Sequence, residues 1–209
     1  MLNEVLKPKK RRVWNKRKLI GQKPPLKPHE IWAIRIHLQM AGKRRDLALF
    51  NLAIDSKLRG CDLVSLRVQD VCSSQGLVAS RATVTQQKTG RPVQFEITQQ
   101  AQAAITAWIT HQALGPTQYL FPSRLKGSPH VSTRQYARLL DSWLVDIGLD
   151  PTAYGTHSLR RTKASLVYQR TKNIRAVQLL LGHSKLESTV RYLGIEPDDA
   201  LTIAEQTEV

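Results

Sequence analysis

The sequence predicts a mainly α fold with a small antiparallel β-sheet, an α+β arrangement in which helices dominate. Three observations carry that prediction. Apolar residues recur at helical spacing through most of the chain, and one stretch switches to a period of two around a Thr-Gly turn. A 41% hydrophobic content in 209 residues is enough for one packed core and short of two ordinary domains.

The elements follow in order. Residues 1–28 hold ten Lys/Arg against one acid, Glu4, a net charge of +9. Prolines at 8, 24, 25 and 28 argue against a long helix there, so the stretch reads as a flexible basic arm, with Trp14 its only large aromatic residue. Helix signals begin at Pro28, which suits a first-turn position. Ile31, Ile34 and Leu38 fall at helical spacing, and so do Trp32, Ile36 and Met40. A loop at residues 42–45 precedes a second, largely buried helix containing Leu47, Leu49, Phe50, Leu52, Ala53 and Ile54, and that helix delivers Arg59. Residues 62–66 read as a further short helix.

From about Leu77 the period is two. Residues 83–87 and 92–97 alternate, with Thr89-Gly90 as the turn, which makes a hairpin with Lys88 at its tip. Thr98 suits the N-cap of a helix running to about Ala113. Another starts near Ser132, carries Tyr136, Leu139, Leu140, Trp143, Leu144 and Ile147, and stops at Gly148. Past Tyr192 the charge inverts: residues 193–209 carry five acids and no Lys/Arg, leaving +12 on residues 29–192. The acidic stretch 196–209, opened by Pro197-Asp198-Asp199, reads as a tail with a short helix.

A net charge of +16 and a pI near 10.3 call for a polyanionic partner, and nucleic acid suits best. The longest apolar run, residues 47–54, is far too short to span a bilayer, so no membrane partner is expected. The N-terminal basic cluster is followed by more charge, not by the apolar core of a signal peptide. Cys61 and Cys72 lack metal-like spacing and read as reduced thiols of a cytosolic protein.

Residues 155–192 concentrate the chemistry. His157 and Arg160 are three apart and share a face if the segment is helical. Gly182, after the apolar run Ile174, Val177, Leu180 and Leu181, ends a helix in a left-handed conformation and sets His183 at a corner. Tyr192 follows on a short segment, residues 186–190, that reads as another brief helix. Guanidinium forks match phosphate oxygens and stay charged, a tyrosine hydroxyl can attack phosphorus, and histidines can carry protons or donate to phosphoryl oxygens. Each residue alone has a plainer reading: a solvated basic face, a helix C-cap, a packing aromatic. Their order and spacing together outweigh those readings.

The arrangement His157-x-x-Arg160, then Leu181-Gly182-His183, then Tyr192 resembles the second box of the tyrosine recombinase (phage integrase) family. Arg59, in Leu58-Arg59-Gly60-Cys61-Asp62, resembles that family's first arginine motif, and Lys88, in Gln87-Lys88-Thr89-Gly90, its hairpin lysine. The likeness covers about residues 28–195. It implies a catalytic domain at residues 29–195 and site-specific DNA strand exchange, with Arg59, Lys88, His157, Arg160, His183 and Tyr192 as catalytic residues. By that resemblance Arg59 and Arg160 clamp the scissile phosphate and Tyr192 forms a 3′-phosphotyrosyl link. Lys88 then protonates the departing 5′ oxygen, His157 accepts a proton, and His183 donates to a phosphoryl oxygen. No cofactor, metal or ATP is implied. The expected partners are double-stranded DNA and further copies of the chain, a tetramer on DNA, with the acidic tail docking on a neighbour. The expected place is a prokaryotic cytoplasm, on the nucleoid.

Lys9, Lys10, Arg11, Arg12, Lys16, Arg17, Lys18 and Arg161 are expected DNA contacts, and Arg161 and Lys163 candidate receivers for the tail. Nothing before Pro28 reads as a separate helical DNA-clamping domain, which makes the chain resemble the short recombinases that flip fimbrial promoter elements. Asp62 stands where the family usually has glutamate, and the retained carboxylate is expected to support the site from behind. A non-catalytic DNA-binding regulator on the same domain and a type IB topoisomerase-like nicking-closing enzyme stay open as alternatives. A basic RNA-binding protein is disfavoured, because no Gly/aromatic RNA-binding signature is present.

Overall fold

The structure, a computed structural model, describes residues 22–125, 127–195 and Glu205. Among these the order is α1 (Pro28–Met40), α2 (Arg44–Ser56), α3 (Gly60–Val64), β1 (Arg81–Thr85), β2 (Pro92–Glu96), α4 (Gln99–Gln112), α5 (Thr133–Asp146), α6 (Thr156–Thr171), α7 (Ile174–Leu181) and α8 (Leu186–Leu193). The strands form a two-stranded antiparallel sheet in which Arg81 faces Glu96 and Thr85 faces Pro92. Helices dominate, as the sequence predicts.

The helix at the centre is α2. A helix buried on all sides needs apolar or partnered residues all round, and every residue from Ala48 through Ser56 is buried. It packs against α1, α4, α6 and β2. Phe50 meets Trp143 of α5 edge to face, ring centroids 5.7 Å apart, and the Trp143 indole N–H donates to Asp46. Most of the apolar core belongs to this one cluster, from Leu26 through Leu159. The two apolar stripes of α1 part company: Ile31, Ile34 and Leu38 enter the core, whereas Trp32, Ile36 and Met40 face outward.

Caps fall where the sequence places two of them. The Thr98 hydroxyl accepts from Ala101 N, and the Ser132 hydroxyl accepts from Gln135 N. Two boundaries differ. The loop expected at residues 42–45 is shorter, since α2 already starts at Arg44, and strand pairing stops at Thr85 instead of Gln87. Residues 86–91 instead close a wider turn, with Gln86 O accepting from Thr89 N and Gly90 N. The Gln86 side chain turns inward and is 1% exposed.

Residues 22–27, expected within the free arm, are fastened to the body. Leu26 is buried and its N–H donates to the Thr162 hydroxyl, while Gln22 Nε2 donates to the carbonyls of Arg191 and Tyr192, each at 2.8 Å. Lys9, Lys10, Arg11, Arg12, Lys16, Arg17 and Lys18, and all of the acidic tail except Glu205, lie outside the described residues. No described helix is long and apolar enough to cross a membrane.

Candidate active site

Arg160 occupies the second turn of α6 and is 3% exposed. Its Nη2 donates to the Leu181 carbonyl at 2.9 Å, while its Nε is buried without a partner among the described residues. Burial lowers its pKa from the ordinary value, yet a guanidinium stays charged at any working pH. Arg59 is the residue before α3, half-buried, and its Nη1 donates to the Gln86 side-chain oxygen. Both cations are thus held from the side, with donors left over.

The C-terminal carbonyls of α7 are closed by Gly182, at φ 66°. Any Cβ there would also stand 2.5 Å from Val93 Cγ2 of the hairpin, so the position needs glycine for two separate reasons. The sharp corner aims His183 back at α8. Its Nδ1 is 3.1 Å from the buried Thr189 hydroxyl, and its ring meets Tyr192 edge-on, centroids 5.4 Å apart. Burial, then Arg160 and Arg59, lower its pKa to about 4, so the imidazole is neutral at pH 7. In the tautomer where the hydroxyl donates to Nδ1, the ring proton sits on Nε2 and makes that nitrogen a donor; in the other tautomer Nδ1–H donates to the hydroxyl.

Tyr192 is enclosed by charge. The Arg161 guanidinium lies 4.7 Å from its ring centroid and that of Arg160 5.6 Å. Its hydroxyl is buried and has no hydrogen-bond partner among the described residues. Burial raises its pKa, and Arg160, Arg161 and Arg59 pull the other way. A buried hydroxyl without a partner is costly, and positions of this kind mark places where something else completes the bonding.

His157, in the first turn of α6, reaches solvent at the rim. Desolvation by the surrounding protein, then repulsion from Arg160, Arg161, Arg59 and Lys88, lower its pKa. Lys88 is exposed in the hairpin turn, and its charge is the weakest of those that lower the His157 pKa. Of the six residues singled out from the sequence, Arg59, Arg160, His183 and Tyr192 are joined by direct contacts or shared partners, while His157 stands at the rim and Lys88 in the hairpin turn.

Arg161 lies elsewhere than on an open surface. It is 7% exposed, bonded through Nη1 to the Lys23 carbonyl and stacked on Tyr192, so it braces the tyrosine from inside the domain. Lys163 is also engaged, donating to Asp55 at 2.7 Å and Glu96 at 2.6 Å. Neither is free to receive an acidic tail. Asp62 keeps the supporting place expected of it: buried at 1% exposure, it accepts the Gln87 N–H and adds negative charge near Arg160.

Sequence reasoning missed the polar layer behind the site. Lys57, left-handed at φ 55° and 1% exposed, donates to both Glu96 oxygens and to Asp55 O. Asp55 accepts from Lys163 and from the Thr98 N–H and hydroxyl. This network fixes the short connection from α2 to Arg59 against β2, α4 and α6. A lysine two residues before an arginine carries no sign that it is buried.

The fold is that of recombinase catalytic domains. This chain is similar to the XerA recombinase structure at a TM-score of 0.71, with 19% identity, covering 89% of this chain and 65% of that one. It is also similar to the XerH site-specific recombinase, solved bound to its difH substrate, at a TM-score of 0.68, covering 88% and 53%. The model of the Phage integrase family matches residues 25–198, and the chain belongs to that family. It is 34% identical over 155 residues to the probable integrase/recombinase YoeC of Bacillus subtilis, covering 74% of this chain and 80% of YoeC. It is 33% identical over 152 residues to a tyrosine recombinase of Pseudothermotoga lettingae, but spans only 50% of that protein.

Proposed function

We propose that this chain is a site-specific DNA recombinase that cuts and rejoins DNA through a 3′-phosphotyrosyl intermediate, without metal or ATP. The observation that carries the reading is the buried, unpartnered Tyr192 hydroxyl set among Arg160, Arg161 and His183. A phosphodiester entering between Arg59 and Arg160 supplies what that hydroxyl lacks.

The Tyr192 oxygen attacks phosphorus as its proton passes to His157, whose lowered pKa leaves the ring neutral and able to accept. The bond from phosphorus to the 5′ oxygen breaks, and Lys88 gives that oxygen a proton. Arg59, Arg160 and the Nε2–H of His183 stabilise the charge gathering on the phosphoryl oxygens. Attack by another strand's 5′ hydroxyl reverses these steps and releases Tyr192. The bond energy is kept in the phosphotyrosine, so rejoining needs no further energy source.

In this reading residues 22–195 are the catalytic unit and the basic residues before Gln22 a DNA-binding arm. Residues 196–209 form a tail that docks on a neighbouring copy in a tetramer on double-stranded DNA, in the cytoplasm. Likeness to YoeC and to recombinases solved on DNA supports it.

The test works without a chosen target sequence. Full-length protein is incubated in EDTA with a nicked duplex pool of randomised sequence, and DNA that stays attached in detergent is recovered and sequenced. Wild type is expected to enrich one family of sequences joined through the 3′ phosphate, and Tyr192→Phe to recover none. Adducts formed equally by the phenylalanine variant would overturn the nucleophile and with it the mechanism.

A further inference from the structure

Gln86 is one of the few uncharged polar side chains in the body that is wholly buried without belonging to a helix. It lies two residues before Lys88, where the strand has ended and the turn begins. A buried carboxamide must satisfy its acceptor oxygen and its two donors inside the protein. Here the partners are unusual. The side-chain oxygen accepts from the Arg59 guanidinium and, at 3.1 Å, from the Thr89 hydroxyl. Its Nε2 points at the Leu181 carbonyl, 3.4 Å away, the same carbonyl that receives Nη2 of Arg160.

One amide and one carbonyl therefore join both arginines. The carbonyl belongs to the last residue before Gly182, so the same contact sets the corner from which His183 projects. That corner tolerates nothing larger than glycine, in part because a Cβ would come within 3.3 Å of Gln86 Nε2. Arg59 has no hydrogen-bonded carboxylate among the described residues, so no ion pair fixes it in place. A neutral amide orients a guanidinium without cancelling its charge, which leaves the full positive field for an incoming anion.

We propose that Gln86 is a positioning residue for Arg59, holding its guanidinium against the corner that presents His183. The inference rests on the reading of Arg59 as a phosphate clamp, but part of its test does not. In the free full-length protein, restricted rotation of the Arg59 guanidinium, seen by NMR as separate Nη signals, is expected in wild type and lost in Gln86→Met. Equal signals in the two proteins would overturn the proposal whether or not the chain cleaves DNA.

On a nicked duplex recovered from the selection, Gln86→Met is expected to bind as wild type does and to form adduct about 10²-fold more slowly, the scale of a misplaced catalytic group. In an Arg59→Ala background the same substitution is expected to cost nothing more. A further loss there would mean that Gln86 acts through another residue. A 5′-bridging phosphorothiolate duplex, whose leaving group needs no proton, is expected to leave the Gln86→Met defect in place. Rescue on that substrate would assign the effect to Lys88 and overturn the proposal. If Gln86→Met does not fold, Gln86→Asn keeps an amide in the pocket but draws it back from Arg59, and the same defect is expected. Wild-type rates and wild-type Arg59 signals in that variant would overturn it equally.

Discussion

The two halves of the candidate site are built differently. Arg59, Lys88, His157 and Arg160 stand on α2, α3, the hairpin and the start of α6, elements packed into or against the one large core. His183 follows α7 and Tyr192 stands on α8, and these two helices share with the later turns of α6 a second core of three fully buried residues, Ala164, Val177 and Leu181, with Val167, Tyr168, Tyr192 and Leu193 around them. Behind the arginines lies a network of two lysines and two carboxylates, with Lys57 and Asp55 buried and Lys163 and Glu96 reaching its edge. Behind the tyrosine lie a threonine, an arginine face and the amide of Gln22. The contrast shows where rigidity is needed. Groups that stabilise charge act by being fixed beforehand. On the proposed reading, a nucleophile that passes from a protein-held to a DNA-bound state is better mounted on a unit with a small core, because local opening costs less where less apolar surface is buried.

The largest effect is expected at the network behind the arginines. Asp55→Ala removes three hydrogen bonds to one buried carboxylate, strands the Thr98 N–H and leaves Lys163 paired with Glu96 alone, and a loss of about 3–5 kcal/mol of global stability is expected. Urea unfolding followed by circular dichroism measures it. A loss below about 1 kcal/mol would mean the network is not what holds the arginine half together.

Leu181→Ala should act on the other half. Truncating a fully buried leucine costs about 2–5 kcal/mol, and here the loss is expected to be local. Hydrogen exchange in residues 174–193 should speed up while amides of α2 and α4 keep their protection. Uniform acceleration would show that the two halves unfold as one and remove the distinction.

Acid should loosen the same half. The folded pKa of His183, about 4, lies below its free value of 6.5, so between those limits the unfolded chain binds more protons. Stability is therefore full above about 6.5 and falls as pH drops toward 4. His183→Asn, which cannot titrate, should flatten that slope in melting temperature, and an unchanged slope would contradict the neutral imidazole. The acid limb of adduct formation is expected below the ordinary imidazole value for the same reason.

The smallest effect expected is that of Gln22→Ala. Removing two hydrogen bonds near the surface costs about 0.5–1.5 kcal/mol each at most. The exchange of amides in α8 should rise slightly and the hairpin should not respond. A response in the hairpin would make Gln22 part of the arginine half.

Much of the fold was legible in the sequence for a local reason. Helical spacing marked α1, α5 and α7, the period of two marked the hairpin, and Thr98, Ser132 and Gly182 marked ends, because each signal is set by neighbours within a turn or two. His157 and Arg160 were readable as sharing a face because helical spacing fixes it, whereas their joining His183 and Tyr192 in one site was read from the resemblance to the family's second box. Composition alone called for a polyanion.

Which polar residues go inside was settled by tertiary packing alone. Arg161 sits next to Arg160 in a basic helix, and nothing local distinguishes the one that donates toward the site from the one that braces Tyr192 from behind. Lys57, Lys163, Asp55 and Glu96 are scattered along the chain, and the buried charges of Lys57 and Asp55 are tolerable only because folding brings Glu96 and Lys163 within 3 Å of them. Gln86 reads in the sequence as an alternating strand residue. Its inward turn depends on Arg59, 27 positions earlier, and on the Leu181 carbonyl, 95 positions later. A buried polar atom takes its energy from whichever partner reaches it, and for these residues the partner is supplied by the fold.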